Sequence, residues 1–168
     1  QVRAVVRYGM EGAIAAQVLM FTLDGVPLIY NGMEVGDATE SAAPALFETK
    51  KIEWVPAGRP PIRDLYRSLI AFRKQNQAMT SGEVIWLENT RNHEVVSFVR
   101  KVEGQEILVV LNLSNREVEV AVKVADPSAF RAVDFSGQLG KSTGSPSRLQ
   151  LPGFGWSILE RESKATKT

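Results

Sequence analysis

Apolar positions near the start of the chain recur at three- and four-residue steps. Met10, Ile14, Val18 and Phe21 fall on one face, and Ala13, Ala15 and Ala16 add propensity. The spacing predicts a helix over 10–23. Asp24-Gly25 ends it, with Gly25 suited to a left-handed cap. The pattern then changes. Val26 to Tyr30 is a nearly continuous apolar run between Gly25 and Gly32. It predicts a short strand buried on both faces, as in a parallel sheet covered by helices. Pro27 cannot donate to a ladder, so it belongs at the strand's entry. Upstream, 1–9 is basic and mixed and carries no period that assigns it an element.

The stretch from Gly32 to Pro61 has no period and contains Gly36, Pro44, Pro56, Gly58 and Pro60. A structureless segment of this length is usually functional. Asn31, Glu34 and Asp37 cluster at the carboxyl end of the predicted strand. Barrels and open α/β sheets bind ligands at that end. Pro61 suits the first position of a second helix. Ile62, Leu65, Tyr66, Leu69, Ile70 and Phe72 then form an apolar face reaching about Lys74. Arg63, Arg67, Arg73 and Lys74 are expected to face outward.

From Ser81 the period becomes two. Runs over 83–87, 94–102, 106–113, 117–124, 130–134, 148–151 and 156–160 read as strands. Turn residues separate them: 89–92, Glu103-Gly104, Ser114-Asn115, Ala125-Asp126-Pro127, 137–146 and Pro152-Gly153. Val118, Val120, Val122 and Val124 alternate with Glu117, Glu119, Ala121 and Lys123, a strand with one wet face. Ile107 to Leu111 has no wet face and is expected at the centre of its sheet. Short strands joined by tight turns indicate an antiparallel sandwich of Greek-key type. The boundary falls near 77–82. Residues 1–78 read as α/β, 79–162 as all-β, and the polar tail 163–168 as disordered. The α/β part is too short to close a barrel, which needs about 250 residues.

Composition narrows the chemistry. Twenty basic residues face 19 acidic ones, so no charge excess points to nucleic acid or a membrane surface. The absence of cysteine removes disulfides, thiol catalysis and thiolate metal sites. A single histidine, His93, removes multi-histidine metal sites. Neither a metal nor a cofactor is expected in this chain. No apolar run reaches transmembrane length. The chain opens on Gln1 without a signal peptide, so it reads as a piece of a longer protein and leaves localisation undetermined.

Gly25, Pro27, Ile29, Tyr30, Gly32 and Glu34 spell Gly-x-Pro-x-Ile-Tyr-x-Gly-x-Glu. This resembles the segment around the eighth barrel strand of the α-amylase family of glycoside hydrolases. Leu46-Phe47, Ile52-Glu53-Trp54 and the run Leu65 to Arg73 are similar to the family's approach to its last barrel helix. Val109 to Ser114 is similar to a core strand of the β-domain after the barrel. The ordered set covers almost the whole chain.

The resemblance implies the end of a (β/α)8 barrel, helix–strand–helix, followed by an antiparallel β-domain. It implies a parent acting on α-glucans or α-glucosides by a retaining mechanism with two carboxylates roughly 5–5.5 Å apart. Those carboxylates lie on earlier strands in the family, so no catalytic residue is assigned here and the chain alone is expected to be inactive. Asn31, Glu34, Asp37 and Trp54 are the substrate-lining candidates. Each has a structural alternative: Glu34 as a paired buried acceptor, Asn31 and Asp37 as turn formers, Trp54 as a seal over the loop. Asn92-His93-Glu94 superficially resembles a family motif but falls between two strands and reads as a hairpin turn. Asn112-Leu113-Ser114 matches a glycosylation sequon and reads instead as a strand end. Trp86 and Trp156 read as core or rim residues. The expected partners are the remainder of the barrel and, in the parent, the glucan. Self-association through apolar surface left without the barrel is a further expectation. A carbohydrate-binding module and a non-catalytic partner subunit are the alternative functions.

Overall fold

The structure is a computed structural model that describes residues 3–39, 49, 51–54, 62–135 and 142–162. Leu46, Phe47, Pro61 and the tail lie outside the described residues, as do the readings placed on them.

Among the described residues three α-helices come first: α1 (Ala4–Thr22), α2 (Ile62–Gln75) and α3 (Gln77–Ser81). Helix α1 begins six residues before its predicted start. It does so across a break at Gly9, whose φ of 71° and ψ of 176° are not helical. Helix α2 follows its apolar period, burying Ile62, Leu65, Tyr66 and Leu69. One of its charges departs from expectation. Arg73 turns toward the end of α1 instead of outward, because the last carbonyls of a helix need donors. Its Nη1 donates to Phe21 O and Leu23 O at 2.8 and 2.9 Å.

Eight strands follow among the described residues: β1 (Glu83–Trp86), β2 (Val95–Val102), β3 (Gln105–Asn112), β4 (Val118–Val120), β5 (Arg131–Ala132), β6 (Thr143–Ser145), β7 (Arg148–Leu151) and β8 (Trp156–Glu162). They form a five-stranded sheet, β1-β2-β3-β8-β5, and a three-stranded sheet, β4-β7-β6. Every pairing is antiparallel. Strand β6 falls where the sequence reads as a turn. It is Gly- and Ser-rich and wholly exposed, and backbone pairing to β7 alone makes it a strand.

Strand β3 sits at the middle of the larger sheet, and its alternation explains why it lacks a wet face. Ile107, Val109 and Leu111 pack with Ile14, Val18, Leu65 and Leu69 of the helices. Leu108 and Val110 pack with Val118, Val120, Leu149 and Leu151 of the smaller sheet. The chain is therefore layered as helices, five-stranded sheet, three-stranded sheet, with a core on each side of β3. All five residues from Ile107 to Leu111 are 0% exposed.

The predicted strand Val26–Tyr30 departs most from expectation. It belongs to neither sheet. Val26 is 95% exposed and Leu28 76%. The physical reason is that a strand exists only through a neighbour's backbone, and neither sheet pairs with this segment.

Other local readings are resolved. Residues 90–94, including His93, form the turn between β1 and β2. Asn112 is 0% exposed. Its Nδ2 donates to Arg116 O and Pro152 O at 2.7 and 2.8 Å, while Oδ1 accepts from Ser114 Oγ at 2.7 Å. This sequon residue is a buried turn clip. Trp156 is core, whereas Trp86 is 62% exposed and packs edge-on against Phe98 with ring centroids 5.2 Å apart.

Candidate functional site

Asn31, Glu34 and Asp37 lie directly after the exposed segment. Gly32 and Gly36 both adopt left-handed φ, +89° and +64°, flanking a single 3-10 turn at Met33–Val35. A Cβ on Gly32 would stand 2.9 Å from Asp37 Cβ, so only glycine fits that turn. The turn closes when Asp37 N donates to Gly32 O at 2.9 Å.

This folding places the Asp37 side chain fully inside, with 0% exposure. Its Oδ1 accepts from Thr39 Oγ1 at 2.7 Å and from Glu53 N at 3.4 Å. Its Oδ2 lies 3.1 Å from Arg3 Nη2. Arg3 reaches further: Nη1 donates to Asn31 O at 2.9 Å, Nε to Thr39 O at 3.4 Å, and the guanidinium stands 5.1 Å over the Tyr30 ring. One arginine at the head of α1 thus gathers Tyr30, Asn31, Asp37 and Thr39. The Asp37 carboxylate is thereby paired with Arg3.

Glu34 faces another way. Its charge and, above all, burial hold the Tyr66 phenol well above the usual tyrosine range, so that hydroxyl stays protonated. Glu34 Oε2, Tyr66 OH and Gln17 Oε1 are buried without a hydrogen-bond partner among the described residues. Tyr66 and Gln17 line a cavity of about 30 Å3, together with Arg3, Met10, Met33 and Asp37. That volume admits one or two waters. Trp54 follows Glu53 in the chain and is 48% exposed.

Of the four candidates, Asn31 and Asp37 come together through Arg3, Glu34 stands beside Tyr66, and Trp54 is only the chain neighbour of Glu53, which bonds Asp37. Sequence reading missed Arg3, Gln17 and Tyr66 as members of this cluster. Tyr66 was visible only as part of an apolar face, and Arg3 only as one charge in a mixed segment. Among the described residues no three His, Cys, Asp or Glu side chains converge as metal ligands, and no helix is long and apolar enough to cross a membrane.

The class defined by these layers is an antiparallel two-sheet β-domain preceded by helices that share its core. Residues 87–158 match the family described as Maltogenic Amylase, C-terminal domain. It is 29% identical, over 89% of its length, to the α-1,4-glucan:maltose-1-phosphate maltosyltransferase of Bifidobacterium animalis subsp. lactis. It is 28% identical over 61% of its length to α-amylase 2 of Dictyoglomus thermophilum, and 27% identical over 87% to a cyclomaltodextrinase of Geobacillus thermopakistaniensis. The chain spans 19–24% of these curated relatives. Among solved structures, a maltogenic α-amylase of Thermotoga neapolitana superposes with a TM-score of 0.73 at 22% identity, over 98% of this chain and 39% of that one. The α-amylase of H. orenii gives 0.65 at 24% identity, over 90% and 36%. These two similarities establish the fold.

Proposed function

We propose that this chain supplies the last helix–strand–helix of a (β/α)8 barrel and the β-domain behind it, in an enzyme that cleaves or transfers α-glucosidic bonds. Residues 1–78 are the barrel end and 79–162 the β-domain, a sandwich of Greek-key type. The observation that carries the reading is the Val26–Tyr30 segment. It is apolar, it follows a helix directly, and it leaves Val26 and Leu28 largely exposed. Apolar residues in that number seek a buried ladder. The remainder of a barrel supplies one. The relatives agree, being an amylase, a glucan maltosyltransferase and a cyclomaltodextrinase.

In this reading Asn31, Glu34, Asp37 and Trp54 stand at the carboxyl end of that strand, facing the barrel mouth. Asp37 and Glu34 hold the loop, and Asn31 and Trp54 present its sugar-facing surface. The chain carries no nucleophile or acid of the glycosidic reaction, and it uses no cofactor or metal. Unpaired, the segment offers an apolar edge, so the isolated chain self-associates at high concentration. The test is to assay the purified chain on starch and on an aryl α-glucoside. No release above a buffer control is expected; measurable turnover would refute the assignment of the chemistry to other strands.

A further inference from the structure

Two arginines from different layers close the end of α1. Arg100, on β2, is 1% exposed. Its Nη1 donates to Thr22 O at 3.0 Å and its Nη2 to Gly82 O at 2.9 Å, joining the end of α1 to the start of β1. Arg73, on α2, donates from Nη1 to Phe21 O and Leu23 O, and from Nη2 to Gly25 O. Four carbonyls over 21–25 thus accept from arginine, and the exposed segment starts at the next residue.

Helix termination alone does not require this. A glycine, a water or one cation satisfies the last carbonyls. Here two like charges are held close together, one of them buried, and that arrangement is costly. Burial pushes the Arg100 guanidinium down, Arg73 adds to the push, and only Asp24 opposes it. The same Asp24 offsets the burial of Arg73. What the arrangement provides is a rigid link from the larger sheet to the root of a segment that has no ladder of its own.

We propose that Arg73 and Arg100 are positioning residues that fix Val26–Tyr30 relative to the five-stranded sheet, so that the all-β half sets where Asn31, Glu34 and Asp37 stand. The consequence for a barrel mouth rests on the function proposed above, but the positioning itself does not. It is read on the chain alone, so the two can fail separately.

The chain has no cysteine, so Leu28→Cys and Glu117→Cys give a single pair of sites for nitroxide labels. Pulsed dipolar spectroscopy on this pair reads the distance distribution between segment and β-domain, and thermal unfolding is measured alongside. In the parent background one narrow distribution is expected. Arg73→Met should broaden it by about twofold or more while the β-domain stays folded. Arg73→Lys, which keeps the charge and part of the donor set, should restore most of the narrow width. Arg100→Met should broaden it as well; if that buried variant fails to fold, Arg73→Met and Arg73→Lys decide. An unchanged width in folded Arg73→Met, or broadening that Arg73→Lys does not reduce, would overturn the proposal.

Discussion

Replacing Asp37 by alanine tests whether the candidate loop is held by its own charges. Its side chain is 0% exposed and that of Arg3 19%. Breaking a fully buried pair costs about 3–5 kcal/mol, and an exposed pair is worth about 0.2–1 kcal/mol. Arg3 keeps some solvent and a second acceptor in Asn31 O, which lowers the first figure. The lost bonds from Thr39 and Glu53 raise it again. Asp37→Ala should therefore cost about 2–3 kcal/mol. For a chain of this size that lowers Tm by roughly 5–10 °C. Urea unfolding gives the free energy, with an unchanged m expected. Adding Arg3→Ala closes a double-mutant cycle, and the double variant should be less destabilised than the sum of the singles by about 1–2 kcal/mol. A loss below about 0.5 kcal/mol, or strict additivity, would refute the reasoning. Asp37 would then be free for another role, sugar contact included.

Other outcomes follow from the same contacts. Leu111→Ala, at a site with 0% exposure between the helices and the larger sheet, should cost about 2–5 kcal/mol in denaturant unfolding. Gly32→Ala forces a side chain to φ +89° and into Asp37 Cβ at 2.9 Å. It should cost about 1–3 kcal/mol, whereas the same change at open Gly104 should cost less. Glu106 is flanked by Lys101, 3.0 Å away, and Arg161. Burial raises its carboxyl pKa, but bonds to both partners outweigh burial and leave it below the usual carboxylate value. A depressed folded pKa stabilises the fold at and above the unfolded value and loses that contribution as pH falls through the folded one. The stability gap between the parent and Glu106→Gln should therefore shrink as pH drops below about 4.5. A gap that widens there would contradict the pairing.

Much of the all-β half is legible in the sequence because its signals are local. Val118 and Val120 alternate with Glu119, and the structure buries the valines and exposes the glutamate. Ile107 to Leu111 announces double-sided burial, although not that helices fill one of the sides. Strand β6 is illegible because Thr143, Gly144 and Ser145 bury nothing. The helix face of α2 predicts its packing, yet Arg73 turns inward because the demand for it comes from α1, fifty residues away. Val26–Tyr30 shows the limit most plainly: apolar composition states that burial is wanted and does not supply the neighbour. At the candidate site, Asn31, Glu34 and Asp37 stand out by clustering after an apolar run. Arg3 could not be found that way, since its bond to Asp37 spans 34 positions and follows from the path of α1.

The central claim is that Val26–Tyr30 is a barrel strand awaiting its neighbours. Amide exchange at Val26, Leu28, Ile29 and Tyr30 tests it most directly, measured in the chain alone and in the chain joined behind seven strand–helix units of an α-amylase-family barrel. Rapid exchange alone and protection of about a hundredfold or more when joined is the expected result. Amides that exchange equally fast in both would contradict it.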